Sequence, residues 1–324
     1  MAPWATQPTP RSPDELAMSA DPPSPERDLA AGLGYGLIAY FSWGLAPLFW
    51  KQLTHFPAPE LVGQRVIWAC LFFTALAWMR GRLRDIGAAL RDPQALRAIA
   101  LSALLLAVNW LVFIYAVATA RVLHASLGYF LTPVVSVLLG TLLLRERMRR
   151  TQWLAIGVAS LGVAQYAMQA ERLPWIGLVL ASSFGVYGLV RKTVRVDALP
   201  GSTLETLLML PFGLGYVVYV GVSGQGALFQ HSLGVDLLLV ATGLITALPL
   251  LWFTNAARRL PLYVMGFLQY LAPSLQFLVA VVIYDEPFST TALRSFAFIW
   301  AGLLLFSIDA WRARRRQLRA LRAR

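Results

Sequence analysis

Long apolar stretches separated by short polar segments run along the chain from about residue 31 to residue 311. A helix of roughly 20 apolar residues spans the hydrocarbon core of a bilayer, and it satisfies its own backbone polar groups without water. The pattern therefore predicts an all-α polytopic membrane protein with ten transmembrane helices. These helices are predicted at residues 31–51, 58–79, 98–119, 125–144, 152–168, 175–192, 203–221, 234–256, 262–284 and 290–311.

The two ends of the chain differ from this pattern. Residues 1–30 contain seven prolines and no apolar run, so we predict a disordered cytoplasmic tail rather than a secretory signal peptide. Residues 312–324 are rich in arginine and are predicted to form a basic cytoplasmic tail. Between the tails, the sequence predicts two units of five helices each, at residues 31–168 and 169–311.

Composition indicates a chain that is embedded in the membrane throughout. Of the 324 residues, 58% are hydrophobic and 14% are charged, which leaves little room for a water-soluble domain. The formal net charge is +12, but the basic residues lie between the apolar stretches. Membrane orientation and anionic lipid explain that distribution better than nucleic acid does. The single cysteine, Cys70, excludes an internal disulfide and a CxxC metal site.

Lysine and arginine predict the orientation, because cytoplasmic loops carry the excess of positive charge. The loop after the sixth span is predicted to hold Arg191, Lys192 and Arg195. With ten helices and both termini in the cytoplasm, every lysine and arginine lies on the cytoplasmic side except Lys51, Arg65, Arg121, Arg172 and Arg294. An odd number of helices would put several basic clusters on the opposite face. We therefore expect a protein of the bacterial cytoplasmic (inner) membrane.

The two halves of the chain resemble each other, which indicates an internal repeat. Matched positions lie 141 residues apart: Gly36 and Gly177, Ser42 and Ser183, Gly44 and Gly185, and Lys51 and Lys192. Pro133 and Glu146 are 13 residues apart, as are Pro273 and Glu286. Because each half has five helices, the second copy would enter the membrane upside down. Inverted repeats are common in secondary transporters, although a duplication in a non-transporting scaffold would leave the same pattern.

Particular strings make the chain resemble the RarD (chloramphenicol-sensitive) family of the drug/metabolite transporter, EamA-like superfamily. The strings lie at residues 39–44 (AYFSWG), 65–68 (RVIW), 109–110 (NW), 126–130 (SLGYF), 187–192 (YGLVRK), 204–206 (LET), 269–270 (QY) and 296–300 (FAFIW). The resemblance implies two five-helix repeats, cytoplasmic termini, and a central cavity lined mainly by spans 1, 3, 4, 6, 8 and 9. One departure is Gln64, where the resemblance leads us to expect a histidine; Gln64 cannot handle protons.

Arg65 is placed several residues deep within a predicted span, roughly 10 Å from its outer end at 1.5 Å per residue. An arginine at mid-bilayer costs about 2.5 to 3.5 kcal/mol on insertion scales, so it should face protein or a water-filled cavity. It could bind a substrate carboxylate, form a structural ion pair or reach the outer headgroups. The sequence alone favours none of these roles over the others.

Two glutamates are candidates for proton coupling. Glu60 and Glu205 are predicted to begin the second and seventh spans, where the positive end of the helix dipole stabilises a carboxylate. That structural role would by itself explain both residues, so coupling is a further hypothesis. Glu146 and Glu286 are predicted to end their helices, and we interpret Glu146 as a structural partner of its neighbouring arginines.

Polar and aromatic side chains within the spans are the remaining candidates for substrate contact. Each alone could simply pack between helices, but together they predict an aromatic, weakly polar cavity for a small amphipathic solute. The candidates are Trp43, Arg65, Asn109, Trp110, Tyr129, Tyr187, Trp252, Asn255, Gln269 and Tyr270. Four prolines are expected to break or kink their helices and to act as hinges, unless they bend them only statically: Pro47, Pro133, Pro249 and Pro273.

These features favour a secondary transporter, expected to export a small amphipathic metabolite, amino acid-like compound or drug by alternating access. No GxxxxGK[ST] loop is present in the sequence, so neither ATP nor another cofactor is expected. An intramembrane enzyme would need a Ser–His pair, two aspartates or HExxH at membrane depth. A non-transporting receptor or assembly factor is the other alternative. The histidines have no ligand-like spacing, so no metal site is predicted: His55, His124 and His231.

Overall fold

The computed structural model describes residues 25–53, 55–118, 122–168, 175–285 and 290–322. Every regular element in these ranges is a helix. In chain order they are α1 (Pro25–Trp50) with a 3-10 turn (Lys51–Leu53), α2 (Ala58–Met79), α3 (Leu83–Arg91), α4 (Pro93–Ala118), α5 (Val122–Leu142), α6 (Arg150–Ala167), α7 (Trp175–Thr193), α8 (Ala198–Val222), α9 (Leu233–Arg259), α10 (Leu262–Gln269), α11 (Leu271–Leu278) with a π-helical turn (Val279–Ile283), and α12 (Thr290–Arg322).

Seven helical segments of the described chain are long and apolar enough to cross a membrane. They are α1, α2, α4, α8, α9, the α10–α11 run and α12. The other three predicted spans are also helical, as α5, α6 and α7, and α5 is 21 residues long. α6 and α7 are less apolar than the seven, and α7 carries Arg191 and Lys192 in its last turn. The chain is an all-helical integral membrane protein.

Several helix boundaries differ from the sequence prediction. α1 begins at Pro25, so the predicted disordered tail is wrong for residues 25–30, and residues 1–24 lie outside the described part. α8 begins at Ala198 rather than near residue 203, so Glu205 lies two turns inside its helix. α12 continues to Arg322, so most of the predicted basic tail is helical. The short helix α3 follows α2 and is not expected from the apolar pattern.

Neighbouring helices pack side by side, with small residues where their backbones approach. Between α6 and α12, a Cβ atom on Gly302 would lie 2.6 Å from the carbonyl oxygen of Ala155. One on Gly162 would lie 2.5 Å from the carbonyl oxygen of Ser295. Close backbone approach of this kind lets helices associate in lipid. The same side-by-side packing joins α1 to α9, α2 to α8, α4 to α7, and α5 to both α7 and α10.

Five clusters of buried apolar residues hold the helices together, and two of them form the centre of the bundle. The larger core joins α1, α2, α4, α7, α8 and α9, with further contributions from α3, α10 and α11. A smaller core joins α5, α6 and α12 around Tyr270, which links α10 to α11. The centre of the bundle is therefore formed by helices from both halves of the chain.

The two ends of the bundle carry different contacts. At one end, which we call the arginine end, Arg258 forms an ion pair with Asp197 at 2.9 Å, and Glu146 accepts a hydrogen bond from the backbone N–H of Leu262 at 2.8 Å. At the opposite end, the Lys51 ammonium lies 3.3 Å from the centre of the Tyr284 ring. The chain after α5 and the chain after α11 thus lie at opposite ends.

The four predicted hinge prolines differ in their effect on the helices. α1, α5 and α9 run without interruption through Pro47, Pro133 and Pro249, so a break is the wrong prediction for these three. The break between α10 and α11 falls at Tyr270, three residues before Pro273. Pro273 has no N–H to donate to the carbonyl of Gln269, which accounts for an interruption here. Their action as hinges stays a prediction.

Candidate functional site

Arg65 lies two turns into α2 beside two indole rings. Its guanidinium carbon is 4.0 Å from the centre of the Trp110 ring of α4 and 5.5 Å from that of Trp50 of α1. Tyr129 of α5 lies within electrostatic range. In the described part of the chain no carboxylate lies within 4.0 Å of Arg65, and its Nε is buried without a hydrogen-bond partner. A structural ion pair with a described acid is therefore not its role.

The surroundings of Arg65 suit an anionic group. Cation–π contact with indole rings holds a guanidinium in place without neutralising its charge. Arginine carries five N–H donors in a planar fork that matches a carboxylate. The predicted candidates Arg65, Trp110 and Tyr129 thus come together, whereas Trp50 is a member of this group that the sequence prediction missed. A tryptophan at the end of an apolar run is typical of the membrane interface, which hides its role.

An aromatic cluster lies between α1, α7 and α9 and contains two other predicted residues. Trp43 packs edge-on against Phe184 at 5.8 Å between ring centres and contacts Phe253 at 5.7 Å. Tyr187 stacks on Phe253, also at 5.7 Å. Tyr40 completes the cluster beside Trp43 at 5.6 Å. The sequence prediction missed Phe184 and Phe253, because a phenylalanine within an apolar span resembles any core residue.

A buried ion pair joins α7 to α8 next to this cluster. The Nε of Arg191 lies 3.6 Å from Oε1 of Glu205, and both side chains are 0% exposed. Ser102 of α4 donates to Oε1 at 2.5 Å, and the Tyr187 hydroxyl donates to Oε2 at 3.3 Å. A Cβ atom at position 201 would overlap the guanidinium, so Gly201 makes room for it.

This pair corrects two sequence predictions. Arg191 is not a loop residue that faces the cytoplasm, because its side chain points into the core from the last turn of α7. Glu205 does not begin its helix, so the helix dipole does not explain it, and its charge is balanced by Arg191 instead. Arg191 and Glu205 are therefore charged side chains buried within the bundle, in addition to Arg65.

Glu60 begins α2 as predicted, in the first turn of the helix. It is 1% exposed, and its Oε1 accepts a hydrogen bond from the backbone N–H of Ala227 at 2.5 Å. Its Oε2 is buried and has no hydrogen-bond partner among the described residues. No lysine or arginine of the described chain lies within 4.0 Å of it, so Glu60 is a buried acid without a cationic neighbour.

Two amide side chains bridge helices. Asn109 donates to the carbonyl of Leu180 and to Ser183, each at 3.0 Å, which ties α4 to α7. Gln269 accepts from Ser136 at 3.1 Å, which ties α10 to α5. These contacts agree with the structural alternative for both residues.

The remaining predicted residues lie away from Arg65. Asn255 lies near the arginine end of α9, where its Oδ1 accepts a hydrogen bond from Arg259 at 2.9 Å. Tyr270 is part of the smaller core and is 0% exposed. Trp252 packs partly buried against the larger core. The structure does not bring these three side chains together with Arg65.

Glu146 pairs differently from its prediction. It accepts hydrogen bonds from the first-turn backbone N–H groups of α10, at Leu262 (2.8 Å) and Tyr263 (3.1 Å). Its nearest cation is Lys192 at 3.7 Å, not one of the neighbouring arginines. Glu286, its predicted counterpart, lies outside the described residues.

Comparison with known proteins gives a consistent family assignment. The model of the EamA-like transporter family matches residues 30–167. An uncharacterized transporter of Pseudomonas aeruginosa is 44% identical over 292 residues, covering 89% of this chain and 97% of the relative. Protein RarD of Escherichia coli K12 is 41% identical over 285 residues, covering 88% and 96%, and protein RarD of Salmonella typhi is 44% identical over 279 residues, covering 86% and 95%.

One solved crystal structure shares the fold, with a TM-score of 0.66 at 19% identity over 88% of this chain and 98% of that chain. The relatives and this common fold agree with the resemblance seen in the sequence. This membrane protein therefore belongs to the RarD family of EamA-like drug/metabolite transporters.

Proposed function

We propose that the protein is a secondary carrier that exports a small amphipathic solute bearing an anionic group, and that Arg65 binds that group. The observation that carries the proposal is a guanidinium held by two tryptophans without a described acid to neutralise it. The aromatic rings nearby would contact the apolar part of the solute. An amino acid-like compound or an organic acid has this chemistry.

We further propose that the carrier has ten spans, arranged as inverted repeats at residues 31–168 and 169–311, between cytoplasmic tails at residues 1–30 and 312–324. Helix packing supports this arrangement, because equivalent contacts occur in both halves. The fourth span of each half packs against the first span of the other: α5 against α7, and α10–α11 against α1. The third span of each half does the same: α4 packs against α7, and α9 against α1. α6 lies antiparallel along α12, which supports membrane depth for this less apolar helix. Two such halves could exchange conformations and so open either side.

Two lysines at matched positions add support for the inversion. Lys192 lies 3.7 Å from Glu146, in the segment that follows α5. Lys51 contacts Tyr284, in the segment that follows α11. Each lysine therefore contacts the chain after the fourth span of the other half, at opposite ends of the bundle.

Orientation can be tested by labelling cysteines at the two ends. In a Cys70→Ser background, Arg147→Cys and Asp285→Cys place one exposed thiol after α5 and one after α11. With both termini in the cytoplasm of a bacterial inner membrane, a membrane-impermeant maleimide should label Asp285→Cys in intact cells and Arg147→Cys only after permeabilisation. Labelling of both from one side would refute the inverted repeat.

Arg65 can be tested once comparison of secreted metabolites, with and without the protein, identifies an exported solute. In proteoliposomes Arg65→Gln should raise KM by about 10- to 100-fold, the range expected for loss of a charged hydrogen bond. Arg65→Lys keeps the charge but loses the planar fork, so its effect should be intermediate. Arg294→Gln, at an exposed arginine of α12, is the matched control. Unchanged transport by Arg65→Gln would refute the binding role.

We also propose that transport is coupled to protons, with Glu60 as the first candidate and Glu205 as the second. Glu60 is buried without a cationic neighbour in the described chain, whereas Glu205 is already balanced by Arg191. Transport into proteoliposomes should respond to an imposed pH gradient, and Glu60→Gln should remove the response while facilitated exchange continues. Transport by the unaltered protein that ignores the gradient would refute coupling.

A further inference from the structure

A second group of arginines lines a cavity at the arginine end of the bundle. The cavity has a volume of about 510 Å³ and lies between the ends of α1, α2, α8 and α9. Its depth reaches Leu251 and Asn255 of α9, and Arg65 is not part of its lining. The charged side chains that line it are Arg80, Arg82, Arg258, Arg259, Asp28 and Asp197.

Asp197 holds two of these arginines. It pairs with Arg258 at 2.9 Å and also forms an ion pair with Arg82. The hydrogen bond to Asp197 raises the pKa of Arg82, so this guanidinium is charged at every physiological pH. Asp85, which is outside this lining, also forms an ion pair with Arg82, so the two carboxylates balance the charges of Arg82 and Arg258.

Arg259 and Arg80 are the other two arginines of the lining. Asp28 pairs with Arg259 at 3.0 Å, and Asn255 also accepts a hydrogen bond from Arg259 at 2.9 Å. Arg80 has no ion pair or side-chain hydrogen bond with any described residue. Four arginines therefore face two aspartates across this cavity, and Asp85 pairs with Arg82 from outside its lining, so one positive charge remains in excess.

The adjacent cavity does not share this excess of positive charge. An adjacent cavity of about 340 Å³ shares Arg82 and Asp197 with the first. It adds Arg195 but also Asp85 and Asp92, so acids outnumber bases in its lining. The first cavity, in contrast, also receives the N-terminal turn of α8, whose dipole adds partial positive charge.

We propose that the first cavity is a phosphate-binding site, separate from Arg65. Arginine forks bind phosphate oxygens with charge-assisted hydrogen bonds, and a recessed surface with an excess of positive charge concentrates anions. The ligand is a phosphate group, carried either by a phospholipid headgroup or by a soluble phosphate compound. The site does not depend on the proposed transport, because binding can be measured on the resting protein.

Phosphate binding to the purified full-length protein in a neutral detergent tests the site, with inorganic phosphate as the probe and phosphorus NMR as the readout. Replacing one partly exposed arginine should weaken binding about two- to fivefold, and Arg80→Gln with Arg258→Gln together should weaken it about tenfold. Asp28→Asn removes a negative charge while Asn255 still holds Arg259, so it should tighten binding. Arg195→Gln, in the adjacent cavity, is the matched control and should change nothing.

A lipid source is separated by native mass spectrometry of the protein purified from membranes that contain phosphatidylglycerol. Retained phosphatidylglycerol that is lost in the Arg80→Gln, Arg258→Gln variant but kept in Arg195→Gln assigns the site to a headgroup. Phosphate binding without retained lipid assigns it to a soluble compound. If the double variant and the Arg195→Gln control behave alike with both probes, the site does not exist.

Discussion

The buried pair of Arg191 and Glu205 makes a quantitative prediction about stability. Removing one member of a buried ion pair leaves an uncompensated charge and costs about 3 to 5 kcal/mol, whereas replacing both with apolar residues is often neutral. Both side chains are fully buried, and Nε and Nη1 of Arg191 have no hydrogen-bond partner among the described residues. The unaltered protein already bears the cost of those unsatisfied groups, which the double replacement removes.

The variants Arg191→Met and Glu205→Leu, alone and combined, form a double-mutant cycle. Each single change should lower the free energy of unfolding by about 3 kcal/mol or more, and the double change by about 2 kcal/mol or less. The coupling energy, the sum of the two single losses minus the loss in the double variant, should therefore be about 4 kcal/mol or more. Reversible unfolding in mixed micelles, titrated with sodium dodecyl sulfate, measures all four proteins.

A second cycle provides the matched control for this prediction. Arg149, just before α6, and Asp309 of α12 form an ion pair at 2.9 Å, in which the Arg149 side chain is 54% exposed and that of Asp309 is 15% exposed. The coupling energy of such a pair should stay below about 1 kcal/mol because water screens it. If the buried pair couples no more strongly than this exposed one, the guanidinium and carboxylate are not an ion pair in the folded protein.

Three further changes test other parts of the structure. Gly302→Ala should destabilise the protein by about 1 to 3 kcal/mol, because the added methyl group would clash with the backbone of α6. Gly157→Ala is the control and should be neutral in the same unfolding titration, because a Cβ atom there meets nothing within 4 Å. Glu60→Ala should cost about 1 to 3 kcal/mol, because the buried N–H of Ala227 loses its acceptor; equal stability would show that water replaces it. Pro273→Ala should slow transport in proteoliposomes with little loss of melting temperature if the helix break is a hinge, and an unchanged rate would show a static bend.

The sequence predicted the helical class and one central residue for clear physical reasons. Apolar runs of bilayer length are hard to explain otherwise, and α6 and α7 are helical where predicted even though they fall short of the hydropathy of the other spans. Arg65 could be singled out because a charge within an apolar span is costly unless it faces protein or a water-filled cavity. Its aromatic neighbours come from other helices, and only the tertiary fold shows which rings they are.

The misplaced residues have equally physical explanations. Residues 198–202 contain Pro200 and Gly201, which favour a turn, yet a proline is tolerated in the first turn of a helix because its N–H would have no partner there. This is why Glu205 lies deeper than predicted. Arg191 adjoins Lys192, so it resembles a member of a basic loop. Only the packing of α7 against α8 reveals which of the two side chains is buried.

The contact of Glu146 with α10 has a consequence for how the two halves can part. The first N–H groups of a helix have no hydrogen-bond acceptor within that helix. Here the Glu146 carboxylate, from the other half of the chain, accepts hydrogen bonds from the N–H groups of Leu262 and Tyr263. Separating α5 from α10 would expose two backbone N–H groups and the Glu146 carboxylate together, so water has to enter this contact as it opens. Osmotic stress should therefore disfavour opening at this end, since closing the contact between α5 and α10 releases that water.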